Sequence, residues 1–225
     1  VKKHGGLTAF GRQVVRELNR LGVLVDLSHG SPQAALHAID ASRAPIALTH
    51  SNAFALSNHP RNAPDDVLRA VAKNKGIVMA TFVPAFIRQK TWDQLKNYCD
   101  EFGKARTDQP HVSYDEVKRA AISEWDMDGA YLLCNHIEYM TNIVGLDHIG
   151  IGSDFYGGPN PPGLEDASKF PHLFAELVMR GWSDAALTKI AGKNFIRVLT
   201  EVEKIGQRLR QKERLPVQLS SVAAH

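Results

Sequence analysis

The sequence predicts an α/β protein built on parallel strands, and three observations support this fold class. Short apolar runs rich in β-branched residues alternate with stretches that have the spacing of amphipathic helices. Such alternation is typical of a parallel sheet, because parallel strands need a crossover connection. Polar residues, among them histidine and aspartate, directly follow the runs, as they do at the carboxyl rim of a barrel. The four predicted strands are residues 23–27, 46–49, 77–82 and 148–153.

Four strands are too few to close an eight-stranded barrel. The residues alone therefore leave two architectures open. The strands form either an open sheet or half of a barrel whose first half lies outside this chain.

The first two helices are predicted from their caps. Apolar residues recur with helical spacing from Phe10 to Leu21, Thr8 precedes them as a capping residue, and Gly22 follows them. Ser31 and Pro32 open a second helix that ends near residue 41, since serine caps helices and proline favours their first position.

The third helix is predicted after a loop over residues 51–64. Asp65 and Asp66 follow Pro64, and acidic side chains are favourable at the positive end of a helix. Gly76 ends this helix and leads into the third strand.

The rest of the chain is predicted to be mainly helical. Residues 83–128 look like an insertion or lid, with helices over 91–102 and 113–124. We expect one domain over residues 1–210 and a disordered tail over 211–225. The remaining predicted helices cover residues 129–144, 171–180, 184–191 and 193–210, the third of these capped by Ser183.

Composition excludes several classes of function. The formal net charge is +3 and the basic residues are scattered, so the sequence predicts no nucleic-acid partner. No run reaches the about 18 apolar residues that predict a membrane span. The chain begins at Val1 and shows no signal peptide, and the sequence leaves the compartment open.

His29 and His50 are the strongest candidates for metal ligands. Each follows a predicted strand, and the 21 positions between them fit a loop, a helix and the next strand. Imidazoles at equivalent ends of neighbouring strands can bind one metal ion. The alternative is that both histidines cap helices or bind backbone. Asp26 lies three residues before His29, either as a partner for a ligand or as an ordinary interior acid.

Asp154 and Arg61 are candidates for binding substrate. Asp154 follows the fourth strand, where an acid can move a proton or bind an ammonium group; the alternative is a helix cap. Arg61 lies in the loop after the second strand, where a guanidinium can hold a carboxylate through two hydrogen bonds. Its alternative is a salt bridge to Asp65 or Asp66.

Several motifs together resemble the membrane (renal-type) dipeptidases, a family of zinc metallopeptidases. The resemblance runs from about residue 5 to about residue 205 and covers the C-terminal part of the family's sequence. The motifs include Val25-Asp26-Leu27-Ser28-His29, Thr49-His50-Ser51, Arg61-Asn62-Ala63-Pro64-Asp65-Asp66, Gly152-Ser153-Asp154-Phe155, Gly163-Leu164-Glu165-Asp166 and Arg180-Gly181-Trp182.

The resemblance implies the C-terminal half of a metal-dependent-hydrolase-type (β/α)₈ barrel and a binuclear zinc site. His29 and His50 match two zinc ligands, and Arg61 matches the residue that holds the substrate's terminal carboxylate. Asp154 matches the acid near the substrate amine, which is implicated in proton transfer to the leaving group. The implied reaction is the hydrolysis of dipeptides by a metal-bound hydroxide, and the implied assembly is a homodimer.

Two departures from the family pattern affect this reading. Tyr156 replaces the second acid of an Asp-Phe-Asp-Gly motif, and the family's first-strand ligands and bridging glutamate have no counterpart in this chain. We therefore expect a truncated form. Two alternatives remain: an inactive fragment or binding module, and an amidohydrolase that acts on another carboxylate-bearing amide or lactone.

Overall fold

A computed structural model of the protein describes residues 4–105, 128–157 and 160–212. Its sheet has three parallel strands, β1 (Ala47–Leu48), β2 (Ile77–Ala80) and β3 (Ile149–Ile151), in sequence order. Ala47 pairs with Ile77, and Val78 pairs with Ile149. The predicted α/β class with a parallel sheet is confirmed.

The first predicted strand is wrong in extent. Only one parallel bridge forms there, between Asp26 and Ala47. The amide of Val23 still donates to the carbonyl of Leu18 at the end of the first helix, and Gly30 donates to Leu27 in a tight turn. The segment between these two features is too short for a ladder, although it lies beside β1 as predicted.

Helices α1 to α9 surround the sheet in the described part of the chain. The predicted helix over 91–102 is observed as α5, whereas the one over 113–124 lies outside the described residues. The helices are α1 (Ala9–Leu21), α2 (Pro32–Ala41), α3 (Asp65–Lys73), α4 (Pro84–Ile87), α5 (Gln89–Ala105), α6 (Gly129–Val144), α7 (Phe170–Met179), α8 (Asp184–Thr188) and α9 (Asn194–Lys212).

The predicted caps are confirmed by side-chain hydrogen bonds. Thr8 accepts from the amide of Gly11 at 3.1 Å, and Ser31 accepts from the amide of Ala34 at 3.2 Å. Ser183 caps α8 in the same way. A π-helical turn over Lys189–Lys193 joins α8 to α9. Because α9 continues to Lys212, residues 211 and 212 are helical, and the rest of the predicted tail lies outside the described residues.

Side chains of β1 and β2 alternate between two apolar clusters, as the pleat of a strand requires. Leu48 and Val78 belong to the larger cluster, which includes fully buried residues of α6. Ala47 and Ile77 face the smaller one, together with Val198 and Val202 of α9. Helices thus pack against both faces, and the carboxyl ends of the strands lie along one rim.

The first and last described helices meet at a pair of glycines. A Cβ atom at Gly206 of α9 would overlap the backbone of Gly22, which ends α1 in a left-handed conformation with φ +76°. Arg210 Nη1 then donates to the carbonyl of Arg20 at 2.9 Å. None of the helices in the described ranges is long and apolar enough to span a membrane.

Candidate active site

The two candidate histidines lie next to each other at the carboxyl rim of the sheet. Nε2 of His29 is 3.0 Å from Nε2 of His50, and their ring centroids are 5.0 Å apart. His29 is exposed, whereas His50 is half-buried. The amide of His50 donates to the buried hydroxyl of Ser28 at 3.1 Å, which ties the two strand ends together.

Asp26 joins the same two strand ends from one side. Its Oδ1 accepts from the amide and the hydroxyl of Ser28, at 3.0 and 2.8 Å, and from the amide of Thr49 at 3.1 Å. Its Oδ2 accepts from the hydroxyl of Thr49 at 2.6 Å. Partial desolvation raises the pKa of Asp26, but these hydrogen bonds outweigh it and leave the pKa below its ordinary value.

The surroundings of His50 favour its neutral imidazole. Burial lowers its pKa, and the nearby charges of Arg61 and His29 act in the same direction. The charges of Asp154 and Asp26 oppose the shift without cancelling it. A neutral ring is the form in which histidine binds a metal ion.

Arg61 reaches this rim from the loop between β1 and α3. Its Nε donates to the carbonyl of Ser28 at 3.0 Å, and its Nη2 donates to Nε2 of His50 at 3.0 Å. The guanidinium also lies 5.5 Å from the ring centroid of Phe86. The predicted alternative, a salt bridge to Asp65 or Asp66, does not form: Asp65 instead pairs with Arg69 and Tyr139.

His59 binds the backbone of Arg61 and packs against two aromatic rings. The ring of His59 lies 4.2 Å, centroid to centroid, from both Phe86 and Trp92, and its Nδ1 accepts from the amide of Arg61 at 3.1 Å. Burial lowers the pKa of His59 to about 4, so the ring is neutral at physiological pH. The sequence gives His59 no role, because nothing in it marks the aromatic neighbours of this residue.

The loop that carries Arg61 is anchored by buried polar side chains. Asn62 Nδ2 donates to the carbonyls of Ser57 and Phe86, at 2.9 and 2.7 Å. His136 of α6 accepts from the amide of Ala53 at 3.1 Å through Nδ1, and its Nε2 lies 3.2 Å from the carbonyl of Ile87. Sequence reasoning assigned no role to His136, because a histidine within an apolar helix gives no signal of such a contact.

Asp154 follows β3 with a left-handed backbone, φ +58°, which aspartate tolerates better than most residues. Its carbonyl accepts from the amide of Gly157 at 2.8 Å, and a Cβ at Gly157 would overlap its carboxylate. The alternative role as a helix cap is wrong: the next helical element, Ala167–Lys169, is capped by Asp166. Tyr156 is fully exposed.

Gly152 allows the ends of two strands to approach each other at the rim. A Cβ at Gly152 would overlap the carbonyl oxygen of Thr49, although β2 separates the two strands. The carboxyl ends of β1 and β3 therefore approach each other closely, which brings Asp154 within electrostatic reach of His50 and Arg61.

His29 and His50 direct two ring nitrogens to one place at the rim, which fits a pair of ligands to a single ion. Within residues 4–105, 128–157 and 160–212, no group of three or more histidine, cysteine, aspartate and glutamate side chains could hold a metal ion. The described residues thus fit part of a metal site.

Comparisons with known proteins show which family this chain matches. The model of the membrane dipeptidase family, peptidase family M19, matches residues 1–213. Dipeptidase tcpJ of Claviceps purpurea is 38% identical over 215 residues, which cover 95% of this chain and 42% of that protein. The chain thus spans about two-fifths of the length of this curated relative.

Two solved structures share the fold. The probable dipeptidase PvdM of Pseudomonas aeruginosa superposes with a TM-score of 0.77 and 32% identity, covering 91% of this chain and 56% of that one. A metallo peptidase of Rhodobacter sphaeroides, liganded with a phosphinate mimic of the dipeptide L-Ala-D-Ala, has a TM-score of 0.69 and 28% identity. That match covers 88% of this chain and 48% of the other. The chain belongs to the membrane dipeptidase family, peptidase family M19.

Proposed function

We propose that this chain carries part of the active site of a zinc-dependent dipeptidase. Family membership supports a metal-dependent hydrolase. The observation that carries the finer assignment is the contact of Arg61 with His50, 3.0 Å between Nη2 and Nε2. It puts a cation suited to a free carboxylate directly beside the histidine pair.

The proposed fold of this unit is the C-terminal half of a (β/α)₈ barrel. Its support is the sequential order of the parallel strands and the collection of polar side chains at their carboxyl ends. We propose one domain over residues 1–210, with the insertion or lid at 83–128.

His29 and His50 would hold the zinc ion through their ring nitrogens. A bound zinc ion supplies a Lewis acid that lowers the pKa of water and polarises a carbonyl. A catalytic zinc takes three protein ligands, and the described residues offer two. We propose that the other ligands correspond to the portion of the relatives that this chain does not match.

Arg61 would bind the terminal carboxylate of the dipeptide. Among the described residues, its hydrogen bonds use Nε and Nη2, which leaves Nη1 for a ligand. The hydrogen bond from its amide to His59 holds the backbone of Arg61, and the Phe86 ring lies against the guanidinium. A rigid guanidinium selects substrates with a free carboxylate, because its donors match that group.

Asp154 would bind the substrate's amine and pass a proton to the leaving amine. Its carboxylate lies close enough to influence the pKa of both His50 and Arg61. A Cβ atom at position 157 would overlap this carboxylate, so Gly157 leaves room for it at the rim.

Zinc analysis of the purified chain tests the metal assignment. We expect zinc binding that is lost in a His29→Ala/His50→Ala variant and retained in His172→Ala. His172 is an exposed histidine of α7 that is not part of the proposed site. Equal zinc content in the double variant and the unmodified chain would contradict the assignment of both ligands.

Activity assays test the substrate class. We expect the zinc-loaded chain alone to hydrolyse L-Ala-L-Ala slowly, because two histidines provide an incomplete ligand set. Turnover typical of enzymes, about 10 per second, would contradict the proposed division of the site. Faster hydrolysis of N-acetylalanine or of a lactone than of the dipeptide would favour a different amidohydrolase.

A further inference from the structure

The position of Asp26 carries an inference about the histidine pair. The carboxylate accepts four hydrogen bonds from Ser28 and Thr49, the residues that directly precede His29 and His50. We propose that Asp26 is a positioning residue that acts through Thr49, holding His50 in the tautomer with the proton on Nδ1 and no proton on Nε2.

The first argument follows the proton of the Thr49 hydroxyl. An ionised carboxylate only accepts hydrogen bonds, so at 2.6 Å the hydroxyl donates its single proton to Asp26 Oδ2. The hydroxyl oxygen of Thr49 lies 2.9 Å from Nδ1 of His50. Because its proton is already used, Thr49 accepts here, and Nδ1 of His50 must be the donor.

The second argument comes from the other side of the ring. The guanidinium of Arg61 has donors only, and its Nη2 lies 3.0 Å from Nε2 of His50. Nε2 therefore accepts, which means that it carries no proton. Two contacts on opposite ring nitrogens, made by Thr49 and Arg61, assign the same tautomer.

Ser28 extends the effect to the second histidine. Its hydroxyl donates to Asp26 at 2.8 Å and accepts from the amide of His50 at 3.1 Å. Its amide also donates to Asp26, one residue before His29. A single carboxylate thus fixes the backbone of both ligand-bearing segments as well as the ring of His50.

The consequence for a metal ion rests on the proposed function. A metal ion binds the lone pair of a neutral imidazole, so the Nδ1–H tautomer leaves Nε2 ready for it. Residues that fix a ligand in this way change metal affinity by about 10- to 100-fold when they are altered.

Long-range ¹H–¹⁵N NMR of the metal-free, ¹⁵N-histidine-labelled chain tests the tautomer directly at pH 8. A His50→Ala spectrum identifies the signals. We expect Nδ1–H on His50 in the unmodified chain and in Thr49→Ser, which keeps the hydroxyl. We expect this preference to weaken in Thr49→Val and Asp26→Asn, where only the contact with Arg61 still favours it.

A proton on Nε2 of His50 in the unmodified chain would overturn the proposal, whether or not the variants fold. An unchanged tautomer in a folded Thr49→Val or Asp26→Asn variant would overturn it as well. Circular dichroism reports which variants are folded.

Zinc titration separates the positioning role of Asp26 from the assignment of zinc to this site. We expect Thr49→Val to weaken zinc binding about 10- to 100-fold and Thr49→Ser to change it less than about 3-fold. If the unmodified chain shows the Nδ1–H tautomer yet binds no zinc, the positioning role stands and the zinc assignment fails.

Discussion

Nη2 of Arg61 donates to Nε2 of His50 at 3.0 Å, so one imidazole nitrogen faces both a guanidinium and a second histidine. In the proposed function, the cation that binds a carboxylate therefore lies beside the ligands of the metal ion. In a dipeptide, the amide nitrogen and one α-carbon separate the scissile carbonyl from the terminal carboxylate, and we propose that this arrangement accommodates both groups.

Replacing Arg61 tests the carboxylate site. Arg61→Met should weaken binding of L-Ala-L-Ala to the zinc-loaded chain by about 10- to 100-fold, since charge-assisted hydrogen bonds contribute about 1.5–3 kcal/mol. The affinity of Arg61→Lys should fall between those of the unmodified chain and Arg61→Met, because lysine keeps the charge and loses the planar donors. Isothermal titration calorimetry measures the affinities.

The amide-capped dipeptide is the control for this experiment. It lacks the terminal carboxylate, so its affinity should be nearly the same for the unmodified chain and Arg61→Met. An equal loss of affinity for both ligands would show that Arg61 does not recognise the carboxylate.

Gly152 should tolerate no side chain. A methyl group there overlaps the carbonyl oxygen of Thr49, which belongs to the backbone and cannot rotate away. We expect Gly152→Ala to lower the free energy of unfolding by about 3 kcal/mol, at the upper end of overpacking penalties. Urea titration followed by circular dichroism measures the loss.

Gly11→Ala is the matched control for Gly152→Ala. A Cβ at Gly11 makes only an ordinary contact, 3.4 Å from the Leu7 side chain, and the position is inside α1. Alanine is the better helix former, so we expect a gain of up to about 1 kcal/mol. A comparable loss of stability in both variants would contradict the steric explanation.

Acid should destabilise the fold through His136. Burial lowers its pKa to about 4 in the folded state, against an unfolded value near 6.5. The unfolded chain therefore binds the proton first, so the contribution of His136 is complete above pH 6.5 and is lost as the pH falls toward 4. We expect a slope of about 1.4 kcal/mol per pH unit from this residue between those values.

Urea unfolding at several pH values between 4.5 and 7.5 measures that slope. Glutamine does not titrate. In His136→Gln the free energy of unfolding should therefore vary less with pH, by the slope of about 1.4 kcal/mol per pH unit that one proton contributes. The histidine His59 has a similarly low pKa and should keep its own share in the variant. Identical pH profiles for both proteins would count against a neutral, buried His136.

Arg180 should be important for stability although it lies away from the rim. It donates to Glu176 at 2.7 Å and to Glu138 at 2.8 Å, and its side chain is 15% exposed. Arg180→Ala leaves two carboxylates without their partner, and we expect a loss of about 2–4 kcal/mol. Thermal and urea unfolding measure it.

Arg69→Ala provides the comparison for Arg180→Ala. Its pair with Asp65, one turn apart on α3, has an arginine that is 61% exposed. Exposed pairs of this kind contribute little, so the expected change is below about 0.5 kcal/mol. Equal effects of the two substitutions would show that burial does not determine the strength of these pairs.

The sequence predicted the local features of the fold well, because helix caps depend on near neighbours. Thr8, Ser31 and Ser183 all cap the helices expected of them. The first strand was predicted too long, since the amide of Val23 completes the hydrogen bonding of α1. Local patterns do not show which of two neighbouring elements uses a given amide.

The site was predictable where it follows from topology. The proximity of His29 and His50 follows from neighbouring parallel strands, and the structure shows it, while their role as ligands stays a prediction. The contact of His136 with Ala53 joins residues 83 positions apart and has no sequence signature. The same holds for the Gly157 surface against Asp154, which needs backbone geometry to be recognised.

The glycine contact between α1 and α9 couples elements that are almost 190 positions apart in sequence. If one helix detached, the backbone of the other would be exposed at its glycine. Glycine has no side chain that could cover this surface. Their amide protons should therefore exchange with solvent together, in one cooperative opening. Terminal helices usually fray independently, and in this protein they should instead share the protection of a single unit.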